Sequence, residues 1–245
     1  MSASPAPSLL ARALAWSVHL YTAFGAVVAL EALEATVRGE AREAFLWMAL
    51  ALAIDSSDGV LARAARVKEV VPTYDGGKLD DIVDYLNYVV VPVFFATHTG
   101  MLPSGWMGLV AALPLLASAY GFCQGAAKTA DFFFTGFPSY WNITVFYLYA
   151  VHAPPALNAA LLAFLSALVL VPLGYVYPSR QPFLRPLTIG LGLAWGAALL
   201  VALWRLPAPS PALVYGSLGF PIYYFALSFH LDLQRRRSRS TTSFR

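Results

Sequence analysis

The sequence predicts an all-α polytopic membrane protein of about eight transmembrane helices with both termini in the cytoplasm, and three observations carry that prediction. Of 245 residues, 59% are hydrophobic and only 12% charged, about half the ~25% charged fraction of an ordinary soluble domain. Apolar runs recur along the chain, separated by short turn signals. Lys and Arg divide unevenly between alternate loops. A helix that crosses a bilayer needs ~20 mostly apolar residues, so eight spans would use roughly 160 positions and leave only short connections. No long polar segment remains to build a second domain, so residues 1–245 are expected to form one integral membrane domain, with an acidic hairpin over 55–84 and a basic cytoplasmic tail over 231–245.

The first apolar run covers residues 14–36. It continues past His19 to about Ala32, longer than the 7–15-residue core of a signal peptide and without an obvious cleavage site, and reads as a retained span. Arg38-Gly39 marks the turn to the second run, 44–62, and Gly76-Gly77 precedes the third, 79–98. Pro103-Ser104-Gly105 opens the fourth, 104–125; the fifth, 138–153, ends at Pro154-Pro155 and is followed by the sixth, 156–176. Pro178-Ser179 precedes the seventh, 187–204, and Pro207-Ala208-Pro209-Ser210 leads into the eighth, 209–230. Pro and Gly within several spans are tolerated, because neighbouring helices re-satisfy the backbone. The lone cysteine, Cys123, has no internal disulfide partner and reads as a small core residue.

Orientation follows from the basic residues. With a cytoplasmic N-terminus, the inner side carries Arg12, Arg63, Arg66, Lys68, Lys78, Lys128, Arg180, Arg185, Arg235, Arg236, Arg237, Arg239 and Arg245, thirteen of 16; the outer side carries Arg38, Arg42 and Arg205. The run Arg235-Arg236-Arg237-Ser238-Arg239 reads as a stop signal held at the anionic inner leaflet, where each basic residue contributes ~1 kcal/mol. The pI of about 9.0 reflects charge scattered between apolar runs rather than gathered in a stripe, which argues against nucleic-acid binding.

The acids are sorted differently. Seven of the 13 carboxylates (Asp55, Asp58, Glu69, Asp75, Asp80, Asp81 and Asp84) fall within residues 55–84. An aspartate in a membrane helix costs roughly 2.5–3.5 kcal/mol at mid-bilayer on the insertion scale, so several together require compensating cations. Asp55 and Asp58 are spaced i, i+3 and Asp80 and Asp84 i, i+4, so each pair projects from one helical face. An antiparallel hairpin would bring the four together, with Asp81 rotated away. Four oxygen donors without His or Cys suit Mg²⁺ or Mn²⁺. Asp75 and Glu69 read as interfacial charges. Gly59, Ala62 and Gly76 are small residues that let a large flat ligand approach the helix backbone.

Together the residues read Asp55-x2-Asp58-Gly59-x2-Ala62-Arg63, twelve residues, then Gly76-x3-Asp80-x3-Asp84. This pattern resembles the signature of the CDP-alcohol phosphotransferases, membrane enzymes that join a CDP-linked lipid or alcohol to a second alcohol and release CMP. The interval between Arg63 and Gly76 is longer than the commonest pattern of that superfamily and resembles the bacterial phosphatidylcholine synthases. Further segments are similar to that family: Ser17 to Gly25, Val67 to Pro72, Lys128-Thr129, Phe133 to Pro138, Trp141-Asn142 and Arg185-Pro186-Leu187. The likeness covers most of the chain apart from its first ten and last fifteen residues, and eight spans also resemble this branch.

The resemblance implies transfer of the phosphatidyl group from CDP-diacylglycerol to choline, giving phosphatidylcholine and CMP. It implies Mn²⁺ or Mg²⁺, as two ions, with Asp55, Asp58, Asp80 and Asp84 as ligands and Asp84 also as general base. Asp58, Gly59, Ala62, Arg63 and Gly76 would receive the nucleotide. Lys128, Arg180 and Arg185 are candidates for the pyrophosphate or lipid phosphate. A quaternary ammonium is recognised by aromatic faces, and Tyr88, Tyr120 and Trp141 are the candidates. Membrane lipid is the implied surrounding, and a homodimer is one candidate assembly. His19 and Thr22 lie one turn apart in the inner half of the first span, near the same end as the aspartates; hydrogen-bonded helix packing is the default for His19.

Two competing readings remain at this point. The same chemistry could serve another acceptor alcohol, although phosphate-bearing acceptors would call for clustered Arg or Lys near Asp84. A cation-coupled transporter would also carry intramembrane carboxylates, but it predicts broken helices in two repeated halves. Here the phased acids lie in one hairpin.

Overall fold

The computed structural model describes residues 7–125, 129, 131–178 and 180–242. Helix follows the apolar runs. Helix α1 (Leu9–Val37) starts where the Ser8 hydroxyl accepts the Ala11 N–H at 3.2 Å, relieving one of the unpaired donors of a helix start. It ends at Arg38 and Gly39, whose φ of +76° closes the turn to α2 (Ala41–Ala64). Gly25, Val28, Ala29, Ala32 and Ala35 form a buried stripe of mostly small residues at helical spacing on α1. Such a stripe lets two helices approach closely in a membrane, and α1 packs along α2.

A short α3 (Val67–Val70) follows, with Arg66 and Glu69 paired across it. Asp75 then caps α4 (Gly76–Tyr85) by accepting the Lys78 N–H at 3.0 Å; the residue read as an interfacial charge is a helix cap. The helix widens into a π turn (Leu86–Val90) and continues as α5 (Val91–His98). The chain divides into two compact units at Pro92 and Val93, within this helical run.

The second unit contains α6 (Met107–Phe122), α7 (Trp141–Ala150), α8 (Pro155–Leu170), α9 (Arg185–Trp204), α10 (Pro211–Ser217) and α11 (Gly219–Thr242). Among the described residues, α1, α2, α9 and the stretch Pro211–Arg237 are long and apolar enough to cross a membrane; α6 and α8 are shorter apolar helices. The chain is therefore a predominantly helical integral membrane protein.

The sixth apolar run departs from expectation. Its helix stops at Leu170, and β2 (Gly174–Val176) pairs antiparallel with β1 (Phe133–Thr135) in the register Phe133 to Val176. Pro172 supplies the reason, because it has no N–H and its ring clashes with a continuing helix. α11 packs on β2, where Ser228 accepts the Val176 N–H and Tyr224 donates to the Val176 carbonyl, both at 3.0 Å. A Cβ at Gly174 would lie 2.5 Å from Asp232 Oδ1, so only glycine fits beneath that carboxylate. Tyr175 is enclosed by Phe137, Phe225 and Phe229.

The basic stretch expected as a tail continues α11 as helix to Thr242. Buried Asp232 pairs with Arg236 at 2.7 Å and with Arg235 at 3.7 Å, and Arg235 lies over the Phe133 ring. Two of the arginines assigned to the leaflet therefore also have partners within the protein. Arg245 and Lys128 lie outside the described residues, as do the side chains beyond Arg237.

Candidate active site

In the first unit, the C-terminal half of α2 carries Asp55 and Asp58, while α4 begins with Gly76 and carries Asp80 and Asp84. The four aspartates line one pocket with Thr22 and Gly25 of α1 and with Asn87 and Tyr88 of the π turn. Asp55, Asp80 and Asp84 are half-buried, and each offers one carboxylate oxygen within 4.8 Å of the others. Three carboxylates held this close repel one another unless a cation lies between them. All the donors are oxygen, the preference of Mg²⁺ and Mn²⁺, so the residues present fit such an ion.

Asp58 is 6% exposed, and its Oδ2 accepts from Thr22 at 2.9 Å. Asp55 Oδ2 accepts from the Tyr88 hydroxyl at 2.6 Å. Both carboxylates of α2 are thus oriented by hydroxyls from neighbouring segments. Asn87 donates to the Gly25 carbonyl on α1 at 2.9 Å and to the Val83 carbonyl at 3.0 Å, tying the π turn to its surroundings. The approach of α1 to α4 depends on Gly25, where a Cβ would fall 2.5 Å from Val83 Cγ1. Asp81 is exposed, as its rotation by one position predicts.

The small residues have different surroundings. Gly59 has only Arg63 nearby, since a Cβ there would meet its guanidinium at 3.4 Å. Ala62 is half-buried and Arg63 exposed. Gly76 faces His19, with a Cβ position 2.6 Å from the imidazole Cε1. His19 in turn packs with Tyr74 and Trp16 at ring-centroid distances of 4.5 and 5.6 Å. Its ring packs as expected, but among the described residues its buried Nε2 lacks the hydrogen bond that was expected with that packing.

The remaining candidates lie in the second unit or outside the described residues. Trp141 is fully buried and donates its indole N–H to Ser118 at 2.8 Å. Tyr120 is 54% exposed, and Arg180 and Arg185 are exposed. Asn87 and the hydroxyl of Tyr88 were not legible as parts of the acidic site. An isolated polar Asn87 in the run Leu86 to Val91 was the available signal.

No protein-family model matches the chain. Curated proteins do. A phosphatidylcholine synthase of Legionella pneumophila is 41% identical over 223 residues, covering 88% of both chains. A phosphatidylcholine synthase of Rhizobium meliloti is 34% identical over 227 residues, covering 92% of this chain and 94% of its own. One from Pseudomonas aeruginosa is 36% identical over 203 residues, covering 83% and 85%. Identity at this level across nearly the whole length of both chains, in a helical membrane protein with converging aspartates, leads to one assignment: the chain belongs to the phosphatidylcholine synthase family.

Proposed function

We propose that this membrane enzyme transfers the phosphatidyl group of CDP-diacylglycerol to choline, producing phosphatidylcholine and CMP. The observation that carries the reading is the convergence of Asp55, Asp80 and Asp84 in the pocket they share with Asp58, in a chain whose relatives carry that enzyme name. In the reaction the choline oxygen forms a bond to the phosphorus that bears diacylglycerol. The bond from that phosphorus to the bridging oxygen breaks, and CMP departs with the oxygen.

Asp84 accepts the hydroxyl proton of choline as the new bond forms, the role of a positioned general base. The proton then passes to solvent or to the CMP phosphate. Asp55, Asp58, Asp80 and Asp84 would hold the divalent ions, read as two and as Mn²⁺ or Mg²⁺. When bound, such ions neutralise charge on the phosphate oxygens and lower the pKa of a nearby hydroxyl. Asp58, Gly59, Ala62, Arg63 and Gly76 would receive the nucleotide. Lys128, Arg180 and Arg185 are assigned to the pyrophosphate or lipid phosphate. Choline presents no N–H, so its recognition normally relies on aromatic faces, sometimes with a carboxylate nearby; Tyr88, Tyr120 and Trp141 are the proposed candidates. The reading places the enzyme in the bacterial inner membrane, with eight spans, cytoplasmic termini, a cytoplasmic active site and a homodimer as its candidate assembly.

A proteoliposome assay with labelled choline tests the reaction. Labelled lipid should form only with CDP-diacylglycerol and Mn²⁺ or Mg²⁺ present, should disappear on chelation by EDTA, and should return when the ion is restored. Lipid formed equally well without a divalent ion would overturn the metal assignment. Choline counterflow without lipid product would replace the enzyme with a transporter, and product with a different alcohol alone would replace the acceptor.

A further inference from the structure

Tyr88 is 7% exposed, and its hydroxyl donates to Asp55 Oδ2 at 2.6 Å. The contact joins the π turn to α2 across 33 residues of sequence. Its origin is local. Over Leu86–Val90 the helix is wound with i to i+5 spacing, seen where the Val91 N–H reaches the Leu86 carbonyl. In that wider turn two consecutive side chains reach two different neighbours: Asn87 binds the Gly25 carbonyl on α1, and Tyr88 binds Asp55 on α2. Single π turns within helices recur at functional sites, because they re-aim side chains at little cost to the surrounding helix.

A carboxylate at the pocket wall can rotate about its side-chain bonds. Fixing one oxygen with a short hydrogen bond leaves the other with a defined direction, and donors behind a ligating group typically affect metal affinity 10–100-fold. We propose that Tyr88 is a positioning residue whose hydroxyl fixes the Asp55 carboxylate in the orientation required for divalent-cation binding. The inference rests on the metal reading of the acidic pocket given above. The role belongs to the hydroxyl and is separate from any contact of the ring face with choline.

Tyr88→Phe removes the hydroxyl and retains the ring, so a cation–π wall survives while the donor to Asp55 is lost. Tyr21→Phe is a matched control: the Tyr21 hydroxyl bonds the Ser57 hydroxyl at 2.8 Å in the same unit. The full chain is purified in detergent or nanodiscs, and Mn²⁺ binding is measured directly from the electron paramagnetic resonance signal of the free ion. Expected for Tyr88→Phe is an Mn²⁺ Kd raised at least about tenfold, with an unchanged metal-free Tm and a choline KM within twofold of wild type. Tyr21→Phe should retain the wild-type Kd. A double-mutant cycle with Asp55→Asn should be strongly non-additive, because Tyr88 acts through Asp55.

An Mn²⁺ Kd within twofold of wild type in Tyr88→Phe overturns the inference and leaves the reaction standing. A raised choline KM with unchanged Mn²⁺ affinity also overturns it and assigns Tyr88 to the substrate alone. Wild-type protein that makes lipid but binds no Mn²⁺ or Mg²⁺ overturns both the inference and the metal reading. Should the Phe variant fail to fold, Tyr88→Met fills the site without a hydroxyl and carries the Mn²⁺ Kd comparison alone.

Discussion

Asp84 shares its face of α4 with Asp80, one turn away, while Asp55 and Asp58 lie in the C-terminal half of α2. Spacing made this arrangement legible in the sequence, because i, i+3 and i, i+4 pairs on two helices can converge only if the helices pack as a hairpin. The hydroxyls behind the carboxylates were less legible. Thr22 could be placed near the site, but its bond to Asp58 depends on the axial register of α1 against α2, which no local pattern encodes. Tyr88 depends on a π turn that spacing rules for a regular helix do not anticipate. The base assignment is checked by Asp84→Ala in purified enzyme. General-base loss should lower kcat by at least about a hundredfold, while CDP-diacylglycerol binding remains measurable. Turnover near the wild-type level would remove Asp84 from the role.

Between elements, the controlling feature is how closely α1 approaches α4. A Cβ at Gly25 would lie 2.5 Å from Val83 Cγ1 and 3.5 Å from Asn87 Nδ2. Gly25→Ala therefore forces α4 outward, and overpacking of this kind typically costs about 1–3 kcal/mol. Asp80 and Asp84 ride on α4, so the substitution should lower both the Tm in detergent and the transfer rate. Gly108 on α6 is the contrast: beyond its own helix backbone, none of the described residues comes within 4 Å of its Cβ position. Gly108→Ala should leave activity unchanged and hold or raise the Tm through better helix propensity. Equal effects of the two substitutions would show that helix propensity, not the approach of α1 to α4, governs the loss. Helix existence was readable from apolar runs, but where a run leaves helix was not. Residues 171–176 are apolar enough to extend α8, yet Pro172 ends it and the side chains of α11 complete the ribbon that follows. Asp232 and Arg236, at i, i+4, were a readable signal for that anchoring.

For the whole molecule, the distribution of charge predicts topology. The proposed inner side holds thirteen of the 16 basic residues, and short loops rich in Lys and Arg are retained in the cytoplasm. On the proposed outer side, Arg38 is surrounded by Glu34, Glu40 and Glu43 at 3.8, 2.9 and 2.9 Å, so its charge is offset within the loop itself. Arg63, Arg66, Lys68 and Lys78 lie between Asp58 and Asp80 within the acidic hairpin, beyond the end of α2 opposite to Arg38 or in its last turn. The active site and both termini should therefore share the cytoplasmic face. Cys123, expected in a core but exposed at the end of α6, is the sole cysteine, so Cys123→Ser gives a background in which single cysteines report their side. In intact cells, a membrane-impermeant maleimide should label Glu40→Cys, whereas Lys68→Cys and Thr242→Cys should react only after the inner membrane is opened. Labelling of Lys68→Cys in intact cells would invert the orientation and move the site away from cytoplasmic CDP-diacylglycerol headgroups. Labelling of Thr242→Cys with Lys68→Cys protected would instead require an odd number of spans. The basic residues within the acidic hairpin thus decide, by their side of the membrane, whether the proposed substrates can reach it.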